Sequence, residues 1–551
     1  MIGSRVLILI ALIFLSPSIS FAQSGDTALK EKAYELLESL STQLSTLQSA
    51  ENRARIGSNI AGTLWPHDEK RARALFIAVG QDINLGLQPS EDGTPEDHKT
   101  FLVFFQLRSD TIQRIARYDP EFAFDFLKTT EPRYEGRIAD YGRDRERALS
   151  VQLAKQLVNS NPDIALKVAR AALAHGFSED LLTVLRPLLR KHREQGVIFH
   201  KEIVRKLRNT KPGDDYRLIE FFYHLSQVAP PLADEATYEE FRAFLTTTAR
   251  TMKCDQERTG DLDSAYFCDQ LAHLLKRNAN RENVVSNPEA DVYQETEQLA
   301  RDGDIDGLLQ LAEKNPLLKN RIYSRAFYLA RATGDLERGQ KIAAAYEGDP
   351  NEKQFMLDQV EKVKDAAALS ETELEEIQKT AETIADVRQR ADYLAENALR
   401  IGVNNKKVAI KLLDQLTDLV DTHKKGSEHT ELMLVMAVLY CMEKADRGFT
   451  IMGSQMPRLN ELIDAAVKLD GFDTHYVRDG EWNMSAAGDL GRLLTFVSNN
   501  APYFAWCDFD RAVNLAAQFE RAEIRMMAQL KLAQGIIAGP PPRLRTGWGK
   551  F

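Results

Sequence analysis

Asp302-Gly303-Asp304-Ile305-Asp306-Gly307 closes one amphipathic stretch and opens another. Glycine tolerates the left-handed backbone that ends a helix, and the aspartate after it accepts hydrogen bonds from the free amides of the next helix. The same punctuation recurs at Gly260-Asp261-Leu262 and Gly334-Asp335-Leu336. Looser versions occur at Trp65-Pro66-His67-Asp68, Tyr118-Asp119-Pro120, Asn161-Pro162-Asp163, Asn404-Asn405 and Asp508-Phe509-Asp510. After each of these a small residue (Ala72, Ala123, Ala165, Ala409, Ala512) sits in the first turns of the following stretch, where two helices approach closely.

Between these turns, apolar residues recur at helical spacing, as in Leu181, Leu182, Val184, Leu185, Leu188 and Leu189. Alternating β-branched runs are nearly absent, so the chain reads as all-α, with about 70% helix against a base rate near one third. The markers Ala123 and Ala165 are 42 residues apart and Gly307 and Gly339 are 32 apart. Periods of this size belong to helical hairpin repeats. The pattern resembles a degenerate tetratricopeptide-like or HEAT-like α-solenoid, although the period is not steady and the Trp, Gly-Tyr and terminal Pro positions of the tetratricopeptide consensus are not jointly present. The resemblance implies a right-handed α-α superhelix of irregular hairpins and a role in binding a protein or peptide partner.

Arg5, the apolar run Val6 to Leu15, Pro17 and Ser20-Phe21-Ala22 have the layout of a secretory signal peptide cleaved after Ala22. The run is too short for a bilayer, which needs about 20 helical residues. The expected organisation is a signal peptide at 1–22, helical repeats over 23–280 and 281–539, and a disordered tail at 540–551 that opens with three prolines. The mature protein is expected outside the cytoplasm, secreted or periplasmic, with no transmembrane segment. A formal charge of −10 argues against general nucleic-acid binding. Four cysteines suit an oxidising compartment. Cys254 and Cys268 stand at similar heights either side of the turn at Gly260, about 10 Å from it at 1.5 Å per residue, and are the expected disulfide. Cys441 and Cys507 are left over, and nothing local supports their joining.

The candidate sites are few. Asp302, Asp304, Asp306 and Glu313, with Gly307, match the calcium-loop pattern D-x-D-x-D-G-x5-E. Capping explains the same residues, because the sister turns occupy the same place without the full ligand set. A calcium loop also needs its helix to begin near Leu311, just before Asn315-Pro316 would end it. No other cofactor is expected. Gly307-Leu308-Leu309-Gln310 resembles the Gly-Leu-Met-Gln motif of soluble lytic transglycosylases, but the stretch upstream, Gln294-Glu295-Thr296-Glu297, lacks their Glu-Ser.

Between Arg186 and Lys211, nine cations, among them Arg190, Lys191, Arg193, Arg205 and Lys206, face only Glu194 and Glu202. This run is a candidate dock for an acidic partner or an anionic envelope polymer. The segment 471–488 lacks helical periodicity and gathers His475, Tyr476, Arg478, Asp479, Glu481 and Trp482, the mixture of polar groups and aromatic faces that a carbohydrate or peptide site uses. It reads equally as a long connection pinned by Tyr476 and Trp482. The preferred reading is a non-enzymatic, exported scaffold. The alternative is a protein that binds or processes cell-envelope polysaccharide in an α-superhelical cradle with its site at 471–488.

Overall fold

The structure is a computed structural model that describes residues 18–88, 95–132, 139–210, 221, 224–225, 235–251, 288–301, 303–333, 335–365, 371–402, 405–422, 426–472, 475–486 and 488–541. The signal-like run before Ser18, the turn at Gly260, Cys254, Cys268, Asp302 and the tail from 542 lie outside these residues. Among the described residues the chain is helical apart from one two-residue hairpin and short 3-10 turns. No described helix is long and apolar enough to cross a membrane.

The chain divides into two compact units, one running to His67 and resuming at Asn287, the other spanning Asp68–Ser286. The first unit therefore joins residues that are far apart in sequence. The residues before Asp68 thus group with those after Ser286.

The chain opens with α1 (Ser18–Gln43) and α2 (Ala50–Leu64). The second unit holds α3 (Glu69–Gly86), α4 (Pro95–Ala116), α5 (Pro120–Thr129), α6 (Ala139–Leu157), α7 (Pro162–Ala174), α8 (Asp180–Lys191), α9 (Arg193–Asn209) and α10 (Glu235–Thr251). The first unit resumes with α11 (Pro288–Arg301), α12 (Ile305–Lys314), α13 (Lys319–Thr333), α14 (Leu336–Ala345), α15 (Pro350–Asp365) and α16 (Glu371–Thr383). Next come α17 (Val387–Gly402), α18 (Lys406–Thr422), α19 (Gly426–Glu443) and α20 (Ala445–Lys468). The hairpin β1 (Val477–Arg478) and β2 (Glu481–Trp482) precedes α21 (Asp489–Cys507), α22 (Phe509–Ala516) and α23 (Ala522–Ala538).

The turns do what their residues predict. Gly303 has φ +75°, and the Asp304 amide reaches back five residues to the Leu299 carbonyl, the pairing of a Schellman ending. The side chains of Asp68, Asp119, Asn161, Asp304, Asp335, Asn405 and Asp508 each accept the amide three residues on, at 2.8 to 3.2 Å. Ala72, Ala123, Ala165, Ala409 and Ala512 are all buried.

Consecutive helices pack as hairpins, and alternate helices stack. In the second unit α4, α6 and α8 form one row, and α3, α5, α7 and α9 the other. Bonds between stacked helices measure the repeat directly. Asn84 and Thr129 are 45 residues apart, and Arg170 and Glu202 are 32 apart. In the first unit Arg325 binds Glu297 and Ser324 binds Glu352, both 28 apart, whereas Arg388 and Glu431 are 43 apart. This is an all-α solenoid of hairpins whose length varies along the chain. One polar group crosses three helices of the second unit: the fully buried Arg108 donates to Glu146 at 2.6 and 2.9 Å, to Thr130 at 2.8 Å and to the Leu127 carbonyl at 2.6 Å. Every nitrogen of the guanidinium is thereby satisfied, which burial of a charge requires.

In the first unit α19 and α20 form a close hairpin, and a Cβ at Gly448 would stand 2.5 Å from the Cys441 amide nitrogen. Cys441 on α19 and Cys507 at the end of α21 form a disulfide, with Cα atoms 6.2 Å apart. The pairing that lacked local support is therefore present, and the expected Cys254–Cys268 pair lies outside the described residues.

Candidate functional site

The 470–489 connection departs from helix because Gly471, Gly480 and Gly488 all take positive φ, and Asp479, at φ +53°, is the one described non-glycine residue that does so. Asp479-Gly480 turns the hairpin between β1 and β2, which is suited to residues that tolerate the left-handed region. The Asp470 carboxylate anchors its start by accepting the amides of Tyr476 at 2.5 Å and Val477 at 3.0 Å.

Arg478, Glu481 and Trp482 of the connection meet the start of α2 and the start of α23, and these two helices pack together in the first unit. Glu481 is buried and accepts the Gln48 amide at 2.6 Å, the Ser49 amide at 3.2 Å and the Asn52 Nδ2 at 3.1 Å. These amides open α2, so Glu481 supplies from more than four hundred residues away the negative charge that a helix start favours. Ser49, the residue at the cap position, makes no side-chain cap bond. Glu51, 1% exposed, accepts from Arg478 at 2.5 Å, Arg55 at 2.9 Å and the Ser485 hydroxyl at 2.8 Å. Glu523, also buried, accepts the Trp482 amide at 2.7 Å. Trp482 is 2% exposed and its ring stacks on Tyr476 with centroids 5.5 Å apart.

Of the residues expected to line a ligand site here, Trp482 is buried and Arg478 is engaged with Glu51. Tyr476 covers Trp482, and His475 and Asp479 are exposed. The arrangement is a clasp between distant parts of the chain. Each of its buried carboxylates already accepts hydrogen bonds from amides, an asparagine, a hydroxyl or arginines. An acid–base pair needs a carboxyl free to meet a substrate. Glu51 and Glu523 escaped the sequence reading because nothing near either of them marks a partner 427 or 41 residues away.

The three described residues of the calcium-like set each meet a different partner. Asp304 is the cap of α12 through the Gly307 amide, Asp306 pairs with Arg338, and Glu313, about two turns beyond Asp306, meets Lys319 at 3.2 Å and the Tyr323 hydroxyl at 3.0 Å. The Tyr323 hydrogen bond first, and Lys319 second, hold the Glu313 carboxyl below its ordinary value. α12 begins at Ile305, where a calcium loop would still be wrapping its ion. Among the described residues no cluster of three His, Cys, Asp or Glu is placed to hold a metal.

The cation run is divided. Arg186, Arg190 and Lys191 lie on α8, in the row with α4 and α6, whereas Arg193, Lys201, Arg205, Lys206 and Arg208 lie on α9, in the row with α5 and α7. Several are already occupied. Lys206 donates to the carbonyls of Leu173 and Ala174 at the end of α7, and Glu202 takes Arg170 on α7. Burial, then the nearby Arg147, pulls the Lys206 ammonium below its ordinary value. Arg193, Arg205 and Arg208 are exposed. Lys211 lies outside the described residues.

No protein-family model matches the chain, and no curated protein matches it. A solved structure described as a circular tandem repeat protein with novel repeat topology and enhanced subunit contact surfaces aligns with 92% of this chain and 97% of its own, at 14% identity and a TM-score of 0.18. The repeat architecture rests on the caps and helix rows of the chain itself.

Proposed function

We propose that the protein is an exported helical-repeat scaffold that binds a protein or peptide partner and does no chemistry of its own. The observation that carries this reading is the state of the 470–489 connection. Its Glu481 and Trp482, groups an enzyme or a sugar site would expose, are spent on joining α2, the hairpin and α23. Along the described helices a few large apolar and aromatic side chains, among them Tyr293, Tyr328 and Phe355, stay exposed amid polar surface, the mixture that protein interfaces use. The polysaccharide reading would need Glu481 and Trp482 at a surface, and their burial weighs against it. Export rests on the Arg5, Val6 to Leu15 and Ser20-Phe21-Ala22 layout.

Two measurements test the reading. Expressed with its leader in a bacterial host, the protein is expected in the extracellular or periplasmic fraction with Gln23 as its first residue, and retention in the cytoplasm at full length would refute export. Cross-linking of the mature protein in envelope extract is expected to capture a defined partner equally well with wild type and with Glu481→Gln. The Glu481→Gln variant is expected to lose about 1–3 kcal/mol of stability, because an amide replaces an acceptor for three donors. Loss of partner capture in a Glu481→Gln protein that remains folded would return a binding role to the connection.

A further inference from the structure

Contacts between side chains tie α11, α13 and α15 into one row with a constant step. Arg325 binds Glu297, Ser324 binds Glu352 and Arg331 binds Gln359, each pair 28 residues apart, and the Arg321 guanidinium lies over the Tyr293 ring, 5.0 Å from its centroid, at the same step. The helices of the row therefore run parallel in fixed register. Ser324 and Arg331 mark the stripe of α13 that faces α15, and Glu352 and Gln359 mark the stripe that faces back. Midway between the two bonds, Phe327 and Tyr328 stand level with Phe355 and Met356. At about 100° per residue, Phe327 and Met356 fall on the inner side of these stripes and Tyr328 and Phe355 on the outer side. Burial agrees: Phe327 and Met356 are fully buried, whereas Tyr328 is 42% and Phe355 47% exposed. Tyr328 and Phe355 make no ring contact with each other, so they form the two rims of an apolar cleft floored by Phe327 and Met356.

Arg321 is exposed two turns before Tyr328 on the same stripe of α13. Stacking on Tyr293 uses the face of its guanidinium and leaves the N–H groups along the edge. No hydrogen bond or ion pair with a described residue claims them. The nearby acids are spent elsewhere: Glu297 on Arg325, Glu313 on Lys319 and Tyr323, and Glu352 on Ser324 and the Tyr346 hydroxyl. Glu295 lies about 200° round α11 from Tyr293, on the side away from α13. An unclaimed cation therefore stands beside an exposed apolar cleft.

We infer that the outer edge of α13, between α11 and α15, docks an extended segment of a partner protein that carries an acidic residue three positions from a large apolar one. Arg321 receives the carboxylate, which an arginine edge holds by two bonds, and the apolar side chain enters between Tyr328 and Phe355. The spacing follows from the helix. Arg321 and Tyr328 are about 10 Å apart along the axis, the span of three residues of extended chain at about 3.3 Å each. Tyrosine and arginine around an apolar pocket are the composition of interface hot spots. The inference rests on the scaffold reading above and names the chemistry of its partner. A sugar is the poorer fit, because Glu297, Glu352 and Gln359, the side chains that would hold its hydroxyls, are bound within the row.

The test uses the mature protein and fluorescent peptides followed by anisotropy. The lead peptide is Asp-x-x-Trp-x-x-Asp with Gly and Ser at x, symmetric so that either chain direction is served. Its controls replace both Asp by Lys, replace Trp by Ser, or close the spacing to Asp-Trp-Asp. Wild type is expected to bind the lead peptide at least about fivefold more tightly than each control. R321E is expected to exchange the preference, binding the Lys peptide more tightly than the lead, a gain that an unfolded variant could not show. Y328S/F355S is expected to weaken the lead peptide at least about tenfold, and R205E/R208E on α9 to change it by less than about twofold. A wild type without the preference, or a preference unchanged in R321E, would overturn the inference. Binding of an N-acetylglucosamine tetramer that is lost in Y328S/F355S, without binding of the lead peptide, would overturn it in favour of sugar. Cross-linking of a partner that survives both R321E and Y328S/F355S would remove this surface and leave the scaffold reading standing.

Discussion

Asp119 shows how much one side chain does in this fold. Burial raises its carboxyl, but the Phe122 amide that it caps and the Arg73 guanidinium that it binds outweigh burial and hold it below its ordinary value. A carboxyl whose folded value is depressed contributes stability above its unfolded value, and that contribution disappears as pH falls through the folded value. Asp119→Asn keeps a good cap and removes the charge. The variant is expected to be less stable than wild type by about 0.5–1 kcal/mol at neutral pH, with the gap closing in strong acid, as read from urea midpoints at both. A gap that does not change with pH would show that the Arg73 pair contributes nothing.

Among the elements, the same cap geometry at seven helix starts explains why the hairpins were legible in the sequence. Each cap involves residues within four positions of each other, so Gly303-Asp304 and Asn161-Pro162 carry their structure locally. Asp304→Ala and Asp335→Ala are each expected to cost about 1 kcal/mol in chemical denaturation. Calcium is expected to leave the melting temperature of wild type unchanged, since the Asp304 carboxylate is engaged by Gly307 and Asp306 by Arg338. A rise in melting temperature with added calcium, abolished by Asp304→Ala, would restore the metal reading. What periodicity does not carry is the row that a helix joins. It shows which face of α8 or α9 is buried, but the two helices belong to different stacks, so a continuous run of cations became two surfaces.

Over the whole molecule, the illegible features are those made between distant residues. Cys441 and Cys507 are 66 residues apart, and only the stacking of α19 with α21 brings them together. Replacing both by serine is expected to lower stability by about 2–4 kcal/mol, measured against the same protein under reducing conditions, where the difference should vanish. A difference that persists in reductant would mean that the serines disturb packing instead. Burial of Glu51, Glu481 and Glu523 is equally a property of the assembled first unit.

The clasp also orders events in time. Asn52 meets Glu481 and Asn59 meets Gln534, which follow them by 429 and 475 residues. A ribosome adding about 5–20 residues per second needs roughly 20–90 s to cover the first of those intervals. During that time α1 and α2 have left the tunnel while α23 does not yet exist. Their inner faces must wait, bare or sheltered by a chaperone, as the intervening repeats assemble one on the next. The helices made first are the last to be seated.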